Sequence, residues 1–247
     1  MLAVLLAAGR GTRMGELTRN TPKPLLPLQG RPILEHILLG LREAAIDRAV
    51  IVTGYLGEQI ERYFGDGGAL GLRVDYARQI TTDGTAKALL LAREHIDGPF
   101  LLSWGDILVD RSLYGALAAQ FEARPCDLLL SVNAVDDPWR GGAVYFDAER
   151  RVTALIEKPP QGTSSTNWNN AGVFVCSPVV LEYAERLAPS PRGEFELPQA
   201  IQAMIADGRD VRGYPITGYW SDLGTPEDLQ AAEASYSAGD LSGRGAA

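Results

Sequence analysis

"LAAGRGTRMGELTRNTPKPLLPL", residues 5–27, decides how the rest of the chain is read. It leaves the apolar run "MLAVLLA" at residues 1–7 and enters a loop with Gly9, Gly11 and Gly15 among the basic residues Arg10, Arg13, Arg19 and Lys23. A strand, a glycine-rich turn and then a helical pattern form the layout of phosphate-binding loops, so the known spacings are tested first. Neither fits. Met14 takes the place of the third glycine in G-x-G-x-x-G, and no G-x-x-x-x-G-K-[ST] can be read. What remains is a loop in which Gly9 and Gly11 let backbone N–H groups approach an anion, with Arg13 and Lys23 as mobile positive charge. Taken alone, these residues suit a solvated surface turn as well.

Outward from this loop, apolar β-rich runs alternate with helical patterns. Strands are expected at 1–7, 49–53, 72–77 and 99–104, and helices at 33–46, 58–64 and 85–96, an order that implies a mostly parallel sheet covered by helices. In the first helix Ile33, Leu34, Ile37, Leu38 and Leu41 form one face, as packing on a sheet requires. From Cys126 the text becomes β-rich, with strands expected at 127–135, 142–146, 151–157 and 171–177. Gly, Pro and Asn clusters at 136–142 and 158–170 read as loops of the kind that wall a binding site. Helices return at 179–187 and 197–208, followed by a strand at 211–216. The final helix has Thr225 as N-cap, Pro226 at its first position, and Glu227 and Asp228 suited to the dipole. The expectation is an α/β, Rossmann-like three-layer sandwich with a mostly parallel mixed central sheet. It fills a single domain over residues 1–237, with halves at 1–125 and 126–237 and a flexible tail at 238–247.

Composition narrows the partners. A formal net charge of −8 argues against polyanion binding over the general surface, so no nucleic acid is expected and basic residues gathered in one loop become informative. The opening apolar run lacks a basic n-region and is too short to span a bilayer; no membrane association is expected, and a cytoplasmic location is. Cys126 and Cys176 form no C-x-x-C pair and read as buried thiols of a reducing compartment. His36 and His95 make no metal constellation and are read as surface or boundary residues.

The opening stretch resembles the L-x-[AG]-G-x-G-T-R-[ML] … K-P-x-x-P pattern of the sugar-1-phosphate nucleotidyltransferases, and in particular the glucose-1-phosphate thymidylyltransferases. The likeness runs along the chain in family order. "QITTDGTAKAL" (79–89) resembles the base-binding loop, "WGDILVD" (104–110) the G-D metal motif, and "EKP" (157–159) the sugar-phosphate lysine motif. "NNAG" (169–172) resembles the sugar-contacting segment and "WSDLGTPEDL" (220–229) the second metal motif. Departures are Gly15 and Glu16, where relatives usually carry a basic residue and proline, and Trp104, where many have Asn or Tyr. The hexapeptide-repeat β-helix and long helical tail of some relatives are not found after the last helix.

The resemblance implies a GT-A-like fold, a nucleotide-binding first half and a sugar-phosphate-binding second half. It also implies a reaction in which a sugar 1-phosphate oxygen attacks the α-phosphorus of a nucleoside triphosphate and expels pyrophosphate. Such chemistry asks for positioning and for neutralised repulsion rather than covalent help. By the same resemblance Leu6, Ala8, Gly9, Gly11, Thr12, Arg13, Gln79, Gly84 and Thr85 contact the nucleotide. Arg13 would fork onto the departing phosphates, Lys23 would reach the α-phosphate, and Lys158 would hold the incoming sugar phosphate. Prolines 22 and 24, and 159 and 160, would keep the backbone around both lysines extended. Asp106 and Asp222, each expected where a strand turns into the next segment, would hold Mg²⁺, which prefers few hard oxygen ligands and keeps its waters. Asp110 is expected to cap the next helix. Gly142, Glu157 and Asn170 would contact sugar hydroxyls, and Trp168 is read as packing.

The amide of Gln79 suits the edge of a pyrimidine or of guanine. The expectation is therefore dTTP or UTP with a hexose 1-phosphate, and the alternative a guanylyl- or cytidylyltransferase acting on a mannose-, heptose- or amino-sugar 1-phosphate. A GT-A glycosyltransferase is disfavoured because it needs no pyrophosphate cradle and no D-x-D stands between strands. A non-catalytic nucleotide-sugar sensor is disfavoured because all the charges are retained. A homo-oligomer is compatible with the sequence.

Overall fold

The computed structural model describes residues 1–136 and 138–235, so the tail expected at 238–247 lies outside the described residues. In chain order the strands and helices begin with β1 (Leu2–Ala7), β2 (Pro27–Leu28), β3 (Arg31–Pro32), α1 (Ile33–Glu43), β4 (Arg48–Thr53), α2 (Gly57–Phe64), β5 (Arg73–Arg78) and α3 (Thr85–Leu91). They continue with β6 (Phe100–Trp104), β7 (Ile107–Val109), α4 (Ser112–Ala123), β8 (Leu128–Ala134), β9 (Gly142–Phe146), β10 (Val152–Glu157) and β11 (Trp168–Cys176). The last are α5 (Val179–Glu185), α6 (Leu197–Ala206), β12 (Val211–Pro215), β13 (Trp220–Asp222) and α7 (Pro226–Ser235). This is the Rossmann-like α/β class, with a mostly parallel central sheet and helices around it.

The chain forms two compact units. One comprises Met1–Thr82, Leu102–Ala116 and the described residues from Thr217; the other comprises Asp83–Leu101 and Leu117–Ile216. Their boundaries differ from a single cut at 125/126, because α3 joins the second unit and the stretch with β13 and α7 returns to the first.

In the first unit β1 pairs in parallel with β4, from Leu2 opposite Arg48 to Ala7 opposite Thr53, and β4 pairs in parallel with β5. Every residue of β1 is buried, which is why its text is continuously apolar rather than alternating. The expected face of α1 is buried too: Ile33, Leu34, Ile37, Leu38 and Leu41 all lie in the core. His36 departs from its reading as a surface or boundary residue. It is buried, and its Nε2 lies 2.9 Å from the Leu28 carbonyl oxygen. In the second unit β8 and β11 pair antiparallel, β9 and β10 form an antiparallel hairpin, and β12 lies parallel to β8.

Three differences from the sequence reading bear on function. Strand β11 begins at Trp168, ahead of the expected residue 171, because Asn169 and Asn170 continue the ladder opposite Asn133 and Val132. Strands β7 and β13 form an antiparallel ribbon, with Asp222 opposite Ile107; both are too short to show a period. Helix α3 stops at Leu91 and the chain tightens into a 3₁₀ turn at Arg93–His95, so the helix expected to reach residue 96 is shorter. The last helix follows its sequence closely. Thr225 Oγ1 accepts from Asp228 N at 3.2 Å, Thr225 N donates to Asp228 Oδ2 at 2.8 Å, and Pro226 opens α7. Asp110 caps as expected, its Oδ1 accepting from Ser112 N at 2.9 Å at the start of α4. Among the described residues no helix is long and apolar enough to cross a membrane.

Candidate active site

In the first unit β1 delivers the chain into the glycine loop, and the loop's shape comes from close contacts. Gly11 has φ +62°, and a side chain on it would stand 3.1 Å from both Lys23 Cβ and Thr18 Cγ2. Glycine is thus required by conformation and by the stem of Lys23 lying across it. The loop continues not into an α-helix but into a 3₁₀ segment, Thr12–Thr18. Met14, which broke the dinucleotide spacing, is buried with Leu26, Leu28, Ile33, Leu108, Leu223 and Ala232. It pins the loop to the β7–β13 ribbon and α7, a task no glycine can perform.

Lys23 opens a 3₁₀ turn, Lys23–Leu25, instead of lying in extended backbone between its prolines; Pro22 before the turn is extended, with φ −66° and ψ 141°. The turn is closed by Leu26 N donating to Lys23 O at 3.0 Å. It buries the lysine, which is 6% exposed, and its Nζ donates to Asp106 Oδ2 at 2.7 Å. A buried ammonium needs such a partner.

Asp106 sits in the turn between β6 and β7. Gly105 before it donates to Leu6 O at 2.9 Å, and a side chain there would meet Ala7 Cβ at 3.0 Å. The ribbon then brings Asp222 alongside: it pairs with Ile107, and Leu223 N donates to Asp106 O at 3.1 Å. Burial, then the like charge of Asp106, hold the Asp222 carboxyl above the usual carboxylate range, while Lys23 and Arg13 pull it back. Two carboxylates, an ammonium and a guanidinium therefore share one field. A cleft of about 230 Å³ opens at Arg13, Lys23 and Asp106, lined also by Leu6, Ala7, Gly9, Gly11, Thr12, Pro24, Gly105 and Gly224. Ala8 is buried just behind it, its carbonyl accepting from Tyr55 N at 3.3 Å.

Among the described residues there is no group of three or more acidic, histidine or cysteine side chains able to hold a metal ion. The Asp106–Asp222 pair suits a cation that takes its remaining ligands from water and phosphate. Gln79, also in this unit, follows β5 directly and is buried, its backbone N–H donating to Thr53 O at 2.8 Å.

In the second unit strand register assembles the expected sugar-contacting residues. Gly142 opens β9 opposite Glu157, the last residue of β10. A side chain on Gly142 would stand 3.3 Å from both Glu157 Oε2 and Asn170 Cβ, so all three residues meet at one point and a larger residue would have to push its neighbours aside. Burial raises the Glu157 carboxyl from its ordinary value, with Lys158 and Arg192 opposing. Lys158 is exposed and adopts φ +46°, so its backbone is left-handed rather than extended as its prolines suggested. Trp168 packs on Phe146 with ring centroids 5.6 Å apart.

Gly84 and Thr85 belong to this unit and carry packing duties. A side chain on Gly84, whose φ is +114°, would collide with Phe195 O at 2.3 Å, and Thr85 Oγ1 accepts from Leu197 N at 2.8 Å at the start of α6.

Some residues of both regions escaped the sequence reading. Gly224, and Asp228 as more than a helix-start residue, lie by Arg13: a side chain on Gly224 would come within 3.1 Å of the Arg13 guanidinium and 3.4 Å of Asp228 Oδ2. Arg192 bonds Glu196 through Nε at 2.8 Å and lies 3.8 Å from Glu157 Oε1. Its setting in "SPRGE" is the signal available in the sequence: a cation in a Pro/Gly turn.

The nucleotidyl transferase family model matches residues 2–239. UTP–glucose-1-phosphate uridylyltransferase AglF of Haloferax volcanii is 35% identical over 235 residues, covering 94% of this chain and 95% of that protein. Bifunctional protein GlmU of Methanococcus maripaludis is 34% identical over 232 residues, covering 94% of this chain and 53% of that protein, so the chain spans about half the length of such curated relatives. A solved structure of a Bacillus anthracis protein assigned as a glucose-1-phosphate thymidylyltransferase, in complex with a sucrose, superposes with a TM-score of 0.87 at 25% identity over 98% of both chains. A UDP-glucose pyrophosphorylase complexed with UDP-glucose shares the fold, with a TM-score of 0.86 at 22% identity over 95% of this chain and 97% of that one.

Proposed function

The chain belongs to the nucleotidyl transferase family, and from that membership we propose that it joins a nucleoside triphosphate to a sugar 1-phosphate, releasing pyrophosphate and leaving a nucleotide sugar. The observation that carries this reading is the convergence of Lys23, Asp106, Asp222 and Arg13 beside the glycine loop. A sugar-phosphate oxygen attacks the α-phosphorus, the bond from that phosphorus to the bridging oxygen breaks, and pyrophosphate departs with the electron pair. The obstacle is the meeting of two anions, and the protein's part is to supply fixed positive charge where negative charge builds.

Arg13 offers a planar fork to the β- and γ-phosphates. The Lys23 ammonium has more than one proton to give, so it keeps its bond to Asp106 and adds one to the α-phosphate. Lys158 takes the sugar phosphate, and Gly142, Glu157 and Asn170 take the sugar hydroxyls. Asp106 and Asp222 are the residues that would hold Mg²⁺. The metal would neutralise phosphate charge, and it suits a pair in which Asp222 is held above its usual range by burial and then by the neighbouring carboxylate.

For substrates we take UTP or dTTP with glucose 1-phosphate, supported by the names of the uridylyl- and thymidylyltransferase relatives and by the amide of Gln79. The test is pyrophosphate release with dTTP, UTP, GTP, CTP and ATP against glucose 1-phosphate and other common sugar 1-phosphates. Release with UTP or dTTP and glucose 1-phosphate is expected. No release with any pair in the presence of Mg²⁺ would sink the proposal.

A further inference from the structure

Lys158 is the candidate cation with the least conventional backbone. Its φ of +46° is a conformation that residues with a Cβ rarely adopt, and one backbone bond sits directly behind it: Lys158 N donates to Gly141 O at 2.7 Å. Asn169 stands close against Gly141. Asn169 Oδ1 lies so close over its Cα that a side chain on Gly141 would stand 2.3 Å away. The Asn169 side chain is itself fixed, because its Nδ2 donates both to Asn133 Oδ1 and to Asn170 O at 3.0 Å. Asn133 and Asn169 face each other across the β8–β11 pair and both are buried. A buried amide with both N–H protons spent is a rigid object, since any rotation leaves donors unpaired.

We infer that the Asn133–Asn169 amide pair is a positioning device for Lys158, acting through Gly141. It does not touch substrate. It fixes the Gly141 carbonyl, the carbonyl fixes the Lys158 N–H, and the left-handed turn so held aims the lysine stem away from the line of β10. The inference rests on the reading of Lys158 as the sugar-phosphate cation. It explains why buried asparagines interrupt apolar strand text at 133 and 169, and why Gly141 must lack a side chain.

The test uses the full chain with glucose 1-phosphate and the better of UTP and dTTP. Asn169→Ala is expected to raise KM for glucose 1-phosphate about tenfold, the scale set by misplacing a binding group by a fraction of an ångström, and to leave KM for the nucleotide within about twofold. In a Lys158→Ala background the same substitution should add less than about twofold, since there is no cation left to misplace. Hydrogen exchange at the Lys158 amide, which needs no turnover, should quicken about tenfold or more in Asn169→Ala. Unchanged KM and unchanged exchange in the folded variant would overturn the inference, as would a full tenfold effect persisting without Lys158. If Lys158→Ala alone leaves KM for glucose 1-phosphate unaltered, the reading of Lys158 fails, while the exchange result still decides whether the amide pair holds its backbone. Should Asn169→Ala not fold, Asn133→Ser, which keeps a small acceptor, carries the same measurements and the same outcomes.

Discussion

In the first unit the candidate charges come from segments far apart in sequence and meet as a part-buried ion pair, Lys23 to Asp106, bridging 83 positions. In the second unit Gly142, Glu157 and Asn170 meet because adjacent strands are in register, and Lys158 stands exposed on a strained turn. The first arrangement is electrostatic: the buried Lys23 is tolerated because Asp106 faces it, so removing Asp106 disturbs both chemistry and fold, whereas Asp222 is crowded by burial and by Asp106. The second is steric and polar: a glycine makes room, a half-buried acid carries a desolvation cost, and losing that acid relieves the fold while harming recognition. Function and stability should therefore move together at Asp106 and apart at Asp222 and Glu157.

The largest expected effect lies in the first unit. Asp106→Asn and Asp222→Asn should each lower kcat by about 10²-fold or more, measured by pyrophosphate release across an Mg²⁺ titration. They should differ in stability. Asp106→Asn leaves the buried Lys23 without its counter-charge and should lower Tm by roughly 3–6 °C, discounted because the Asp106 side chain is 35% exposed. Asp222→Asn removes a carboxylate crowded by another and should leave Tm unchanged or raised. Near-normal turnover in either variant would break the metal assignment.

Arg13→Ala and Lys158→Ala set the two regions against each other. The arginine variant should lose about 30-fold, chiefly in kcat, because the guanidinium meets charge that grows as pyrophosphate leaves. The lysine variant should lose a similar factor chiefly as a higher KM for the sugar phosphate. Identical kinetic profiles would erase the division of roles.

Gln79→Ala should cost about tenfold in kcat/KM for the preferred nucleotide, the scale of losing a buried hydrogen-bond partner, and much less for a poorly accepted one. An equal loss across all five nucleotides would leave Gln79 as a support for its loop, with no part in base choice.

The smallest effect is on stability in the second unit. Because burial raises the Glu157 carboxyl above its unfolded value, the folded chain binds the proton more tightly, and stability falls as pH rises from the ordinary glutamate range through the raised one. Above that window the desolvation cost is fully present. Glu157→Gln should therefore raise Tm at pH 7 by about 1–2 °C and flatten its dependence on mild acid, while raising KM for the sugar phosphate. A fall in Tm would mean that the links to Lys158 and Arg192 outweigh burial.

Much of this is legible in the chain itself. Apolar runs gave the buried strands, the 3.6-residue pattern gave α1, and Thr225-Pro226 with Asp228 gave the start of α7, because each is set by residues within one or two turns of one another. The order of the motifs gave the family. Other features depend on distant partners and could not be read that way. Met14 looked like a failed glycine until its burial against Leu223 and Ala232 made it an anchor, and His36 looked peripheral until Leu28 lay across it. The β7 and β13 strands exist only because each pairs with the other, and that pairing is what sets Asp222 beside Asp106.

By itself the sequence determined the class of fold, the family and the types of charge available, since local periodicity and motif chemistry suffice for these. Only the tertiary structure decided which charges share a field, that Lys23 is buried on Asp106, and that Lys158 is bent into a left-handed turn behind Gly141. The physical reason is that burial, pairing and backbone strain belong to contacts between segments, and the energy of such contacts is written in neither segment alone.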